Sequence, residues 1–247
     1  MARGPVTYRK MIYFASDIHL GSGDRETQRA TEQRFVEWLG SIEPTAEVLF
    51  LVGDVFDFWF EYGRVVPKGF VRTLGKLAEL TDRGVRVVMI TGNHDMWVGN
   101  YLTQECGIEL YTTPQIFTLK GKKYFVSHGD NTNIKGQPML KLMNAFFRSR
   151  ALRVVASWLV HPDLFLKFGQ WWSGSSRKAH KAQTDLSYLN PLIEFAAEYK
   201  DKSVNHFVFG HIHIPHQTDT ITFLGNWADG CSWAEIGDDG AITLKQK

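Results

Sequence analysis

Seven residues have the side chains and the spacing to hold a pair of divalent cations. They are Asp17 and His19 in SDIH, Asp54 in VLFLVGD, Asn93 in TGNHD, His128 in SHGD, and His211 and His213 in GHIH. Two such ions at ~3.5–4 Å repel by roughly 20 kcal/mol at an effective dielectric of about 20, so an anionic ligand shared between them is close to obligatory. Asp54 suits that bridge. It follows an apolar run and Gly53, which lets the backbone turn and the carboxylate project from the strand end. Asp17 and His19, two apart after the first apolar run, are expected to point the same way from an extended segment. Imidazole suits transition metals, and carboxylate with amide oxygen suits Mn2+ or Fe2+. Divided by symmetry, Asp17, His19, Asp54 and His213 go to one ion, and Asp54, Asn93, His128 and His211 to the other. Taken singly, each motif has an ordinary explanation: D-x-H and G-D cap turns, and GHIH can be two strand residues facing one side. Their succession, each at the end of an apolar run, argues for one site.

The elements that must position these residues are legible as short apolar runs: MIYFAS, VLFLV (48–52), VRVVMI (85–90), YFVS (124–127) and HFVFG (206–210). Runs of this length bounded by polar clusters read as buried strands. Between them Glu26 to Leu39, Phe70 to Leu80 and Leu186 to Tyr199 carry helical periodicity, giving the alternation of an α/β layered fold. Ligands of such folds gather at the carboxyl ends of strands, where all five motifs fall.

One stretch, 131–181, breaks the alternation and reads as an inserted helical cap between core segments 11–130 and 182–247. Apolar pairs recur about every four residues through Leu142/Met143, Phe146/Phe147, Val154/Val155 and Trp158/Leu159. It carries nine Lys or Arg against the single acid Asp163, a local charge of +8 within a chain of +2 overall. That mild overall charge does not by itself imply a nucleic-acid or membrane partner. The ends, 1–10 and beyond Thr243, read as tails.

Cys106 and Cys231 lack the paired spacing of a zinc ribbon or a disulfide framework, which fits a reducing compartment. The short apolar run after the polar start MARGPVTYRK is no signal-peptide core, and arginines and a lysine interrupt the greasy region from Met139 to Val160. The expected location is therefore the cytoplasm, with no bar to lying on a membrane.

The series D-x-H, G-D, G-N-H-D, H-G-D, G-H-x-H over roughly residues 11–226 resembles the calcineurin-like metallophosphoesterase family. The resemblance implies two facing mixed β-sheets flanked by helices, and a dinuclear centre, often manganese, at the strand ends. It implies that His94, its ring oriented by Asp95, lies beside the metals to bind phosphate or protonate a leaving group. GDVFDFW, and an insertion straight after HGD, resemble the branch of that family that splits the pyrophosphate of an acylated nucleotide sugar in lipid A synthesis. That implies hydrolysis at an anionic inner-membrane surface, with Asn93, His94, Ser175, Ser176, Arg177, Lys178 and Lys181 facing substrate. Two features depart from the branch: His94 stands where well-known members have Arg, and NTNIKG follows HGD in place of an acidic stretch. The rival readings are a phosphodiesterase, phosphatase or nuclease of the same fold, or a scaffold with eroded ligands. No nucleic-acid partner is expected, and none of the seven ligand positions is eroded.

Overall fold

A computed structural model describes residues 10–132, 149–181, 185–228 and 230–247. The first sheet has six strands: β1 (Met11–Ala15), β2 (Ala46–Val52), β3 (Arg86–Ile90), β4 (Glu109–Tyr111), β10 (Ser232–Ile236) and β11 (Ile242–Gln246). Their order is β11-β10-β1-β2-β3-β4, with β1 to β4 parallel and β10 antiparallel to both neighbours. The second sheet takes β5 (Gln115–Leu119), β6 (Lys122–Ser127), β7 (His206–Phe209), β8 (His216–Gln217) and β9 (Ile221–Phe223), in the order β5-β6-β7-β9-β8. β6, β7 and β9 are parallel to one another, and both edge strands run against them.

The continuous apolar runs are explained by burial on both faces. Ile12, Phe14, Val48, Phe50, Val52, Val88 and Ile90 meet Tyr124, Val126 and Val208 of the second sheet. The alternate residues Tyr13, Ala15, Leu49, Leu51, Val87 and Met89 face α1 (Arg25–Ile42), α2 (Val71–Asp82) and α3 (Tyr101–Cys106). On α1 the buried residues Thr31, Phe35, Trp38, Leu39 and Ile42 form one stripe at helical spacing, and Asp24 caps its start by accepting from the Thr27 N–H at 2.8 Å. The outer face of the second sheet, Phe125, Phe207, Phe209 and Phe223, is covered by Leu189 and Leu192. The layers are thus helix, sheet, sheet, helix, the two mixed sheets flanked by helices that the resemblance implies.

After β6, residues 149–181 carry α4 (Arg150–Leu159) and α5 (Pro162–Lys181), started by Ser149 as cap and by Pro162 at the first helical position. Ala156, Val160, Phe165 and Leu166 pack on Phe58, Phe60 and Trp97 of the core. Met143 and Phe147 lie outside the described residues, as do the side chains of residues 175–181.

Two sequence expectations change. The end of the chain is no tail: Ile242–Gln246 pairs along β10 as an edge strand. The helix expected over Leu186 to Tyr199 is a 3-10 turn, Leu186–Leu189, followed by α6 (Asn190–Glu198), with Pro191 in its first turn.

Candidate metal centre

β1, β2 and β3 end level with one another, and their exit loops stay zipped beyond the strands. The N–H groups of Asp17, His19 and Leu20 donate to the carbonyls of Gly53, Asp54 and Val55 at 2.9–3.1 Å. The two loops carry Asp17, His19 and Asp54 in left-handed backbone, at φ 54°, 49° and 52°, and His211 after β7 stands at 65°. Few non-glycine residues take that region, Asp and His more readily than most, and such backbone gathers at functional sites. Strand alternation is therefore not what aims Asp17 and His19: β1 stops at Ala15, and two left-handed residues separated by Ile18 turn both side chains inward. Gly53, at φ 80°, is required twice over, because a Cβ there would lie 2.4 Å from His128 Nδ1.

Three groups of ligand atoms converge: Asp17, His19 and His213; His19, Asp54 and His94; Asp54, His128 and His211. Within the first, Asp17 Oδ1 lies 3.2 Å from His213 Nε2 and 3.7 Å from His19 Nε2, and the two Nε2 atoms face each other at 3.3 Å. Asp17 Oδ2 is engaged elsewhere, accepting from Ser16 Oγ at 2.6 Å and the His211 N–H at 2.9 Å. In the third, Asp54 Oδ2 and Asn93 Oδ1 each stand 3.3 Å from His128 Nε2. Asp54 Oδ1 accepts the His94 N–H at 2.9 Å, so only Oδ2 faces the middle of the cluster, 3.9 Å from both His19 Nε2 and His94 Nε2.

This donor set fits divalent cations. Asp17 Oδ1 is fully buried without a hydrogen bond, an orphan that a positive ion would satisfy. His128 gives its Nδ1–H to the Val52 carbonyl at 2.9 Å, which turns Nε2 toward two acceptor oxygens, where a proton or a metal can sit. Burial works against both carboxylate charges, yet facing imidazoles hold Asp17 well below the carboxylate range, and His128 above all does the same for Asp54. Burial likewise disfavours a charged His128, but the Asp54 and Asp17 carboxylates raise it well above an ordinary histidine. A cluster that recruits protons in this way is one that draws cations.

The ring of His94 is oriented by other groups than the resemblance implies. Asp95 does not orient its ring: Asp95 is wholly buried, with Oδ2 accepting from the Val55 N–H at 2.8 Å and Oδ1 from the Gly92 N–H at 2.7 Å, so it staples the β2 and β3 exit loops. Burial and the Asp54 charge push it up to about 7. His94 Nδ1 instead faces the Asp57 carbonyl at 2.9 Å and Ser173 Oγ at 3.0 Å. A carbonyl only accepts, so the proton sits on Nδ1 and Nε2 presents a lone pair to the cluster. Burial lowers this ring to about 4, against the pull of Asp54, keeping it neutral.

Two contributors escaped sequence reasoning. Asp57 sets its Oδ1 3.5 Å from His19 Nδ1, and its only sequence signal was membership in GDVFDFW. Ser173 lies two residues before the polar stretch singled out in the insertion. Ser175, Ser176, Arg177, Lys178 and Lys181 lie on α5, with side chains outside the described set. Of the remaining histidines, His206 is buried against Thr222 Oγ1 at 2.9 Å and His161 is exposed.

The profile of the calcineurin-like phosphoesterases matches residues 10–215, and the chain belongs to that family: it is a divalent-metal-dependent hydrolase. Its similarity to curated relatives is narrower. The UDP-2,3-diacylglucosamine hydrolase of Porphyromonas gingivalis (strain W83) is 34% identical over 96% of this chain and 97% of its own length. Proteins of the same name from Histophilus somni (strain 2336) and Haemophilus influenzae (strain Rd) are 28% and 29% identical, over 94% and 88% of this chain and 98% and 91% of theirs.

Proposed function

We propose that this enzyme hydrolyses the pyrophosphate of UDP-2,3-diacylglucosamine to UMP and 2,3-diacylglucosamine 1-phosphate (lipid X), a step of lipid A biosynthesis. The observation that carries the reading is the combination in one molecule of the buried carboxylate and imidazole cluster with an apolar helical insertion seated beside it. The name shared by the relatives supports it.

We assign Asp17, His19, Asp54 and His213 to one ion and Asp54, Asn93, His128 and His211 to the other, with Mn2+ as the metal preferred by this mixed nitrogen and oxygen set. When bound, the pair supplies charge neutralisation and a water acidified toward neutral pH for in-line attack on phosphorus. Asp54 Oδ2 would be the oxygen shared between the two ions, since Oδ1 accepts the His94 N–H. Asp57 faces His19 Nδ1 and the Val52 carbonyl holds His128 Nδ1, which fixes both Nε2 atoms toward the cluster. His94 Nε2, a lone pair on a neutral ring, can take a proton inside the site and return it to a phosphoryl oxygen.

Segment 131–181 acts as the substrate cap. Trp158 and Leu159 on α4 are 83% and 79% exposed, and Leu164, Phe168, Trp171 and Trp172 on α5 are exposed as well. Drawing an acyl chain from a bilayer costs about 0.8 kcal/mol per CH2 unless an apolar wall receives it, and these side chains provide one. Basic residues near an anionic leaflet add about 1 kcal/mol each, enough for reversible contact with the cytoplasmic face of the inner membrane. No helix among the described residues is long and apolar enough to cross a membrane. A cavity of about 460 Å³ beside His128, lined by Met96, Trp97, Pro114 and Ser149 among others, offers room for the polar part of the substrate.

The test is incubation with Mn2+ and UDP-2,3-diacylglucosamine, beside a generic aryl phosphodiester. UMP and the acylated sugar phosphate should appear in equal amounts. Cleavage of the aryl ester alone would remove the lipid reading and leave the family chemistry standing.

A further inference from the structure

We propose that Ser173 is a positioning residue, which ties the seating of the helical insertion to the orientation of the His94 ring; this rests on His94 acting at the proposed site. Phe165, Gly169 and Ser173 recur every four residues on α5 and so share one face of the helix. The Phe165 ring lies 4.5 Å from Phe60 and 5.5 Å from Trp97. One turn on, α5 passes so close to the core that a Cβ on Gly169 would stand 2.4 Å from the Phe58 ring. Only glycine permits that approach without displacing an aromatic side chain already enclosed by Trp97 and Phe165. A further turn on, Ser173 is 1% exposed and donates its hydroxyl to the Asp57 carbonyl at 2.6 Å.

A buried serine within a helix commonly folds back on the carbonyl four residues earlier. Ser173 instead reaches into the core, to an atom that also receives His94 Nδ1. With its own proton given to Asp57, its oxygen stands 3.0 Å from Nδ1 as a second acceptor for the ring's N–H. The imidazole is thereby gripped by one group from the β2 exit loop and one from the insertion. Asp57 joins both, because its carboxylate faces His19 Nδ1 at 3.5 Å. Seating of α5 at Gly169 and the aim of His94 Nε2 are thus a single geometric event. A hydroxyl confined to substrate binding would need neither the Asp57 bond nor contact with Nδ1.

The test uses the full chain and an aryl phosphodiester without acyl chains, so that lipid contacts with the insertion do not enter. Ser173→Ala should lower kcat about tenfold with KM within twofold, and have no further effect in a His94→Ala background, as expected for residues acting as one unit. In 15N-histidine spectra of the metal-free chain, the His94 Nδ1–H should exchange slowly in the parent and rapidly in Ser173→Ala. Gly169→Ala, which keeps the hydroxyl but wedges the helix away, should repeat both changes, and serves alone if Ser173→Ala does not fold. The same kcat loss in the His94→Ala background, or unchanged exchange in both variants, would overturn the proposal. If His94→Ala itself left turnover intact, the assigned role of His94 would fall, while the exchange measurement would still decide whether Ser173 grips the ring.

Discussion

The candidate ligand cluster and the helical insertion are built by opposite means. Around the cluster, the exit loops of three strands are cross-linked by backbone hydrogen bonds and by the inward-facing Asp95, and four candidate ligands are held in left-handed backbone. Among the described residues, the insertion meets the core through an aromatic seam at Phe58, Phe60, Trp97 and Phe165 and the polar contact of Ser173, and turns tryptophans and leucines to the outside. Catalytic groups must be held to a fraction of an ångström, a demand that exposed side chains on a helix do not meet. The difference teaches that the backbone of the core fixes the ligand cluster, whereas the insertion leaves its apolar side chains free to meet another surface.

That contrast is broken most severely at Asp54. Replacing it with Asn halves the compensation between two cations, so Asp54→Asn should lose at least one metal and all measurable turnover while the fold persists. Metal analysis of the purified variant decides: two ions per chain with normal turnover would remove the bridge. Next, His94→Ala should keep both metals and lower kcat by roughly 10²–10⁴-fold, the range for a lost proton-transfer group. Metal loss in that variant would make His94 a ligand instead.

A third test separates the core's acid response from the site. Burial pushes His206 down to about 4, below the ordinary value for histidine. The folded protein therefore refuses a proton that the unfolded chain binds, so stability is complete above about pH 6.5 and declines as pH falls toward 4, by about 3 kcal/mol in all. His206→Gln should flatten the difference between urea midpoints at pH 7.5 and 5 relative to the parent. An unchanged slope would assign the acid response elsewhere.

The smallest effect is expected on the insertion. Trp158→Ser with Leu159→Ser alters exposed positions, so the melting temperature should barely move. Binding to anionic vesicles should weaken roughly tenfold, about 1.4 kcal/mol. Unchanged vesicle binding would place membrane contact on another surface.

How much of this was legible in the sequence follows the same divide. β2, apolar from Val48 to Val52 because both its faces are buried there, announces itself, and the polar residues that end such strands mark the site. β10 and β11 were missed because SWAEI and ITLKQ mix polar and apolar residues, and β11 is an edge. Within GNHD the residue types do not say which side chain turns inward, and the ring-orienting role that the resemblance implies for Asp95 gives way to its bonds with backbone N–H groups. Ser173 was invisible for a different reason: its partners are 79 and 116 residues away, and no local pattern reports a contact across that distance.

The central claim, that this cluster holds two cations across Asp54, is tested most directly by crystals loaded with Mn2+ and measured at the manganese absorption edge. Two anomalous peaks are expected, one among Asp17, His19 and His213 and one among Asn93, His128 and His211, with Asp54 Oδ2 between them. A single peak, or two peaks that do not share Asp54, would contradict it.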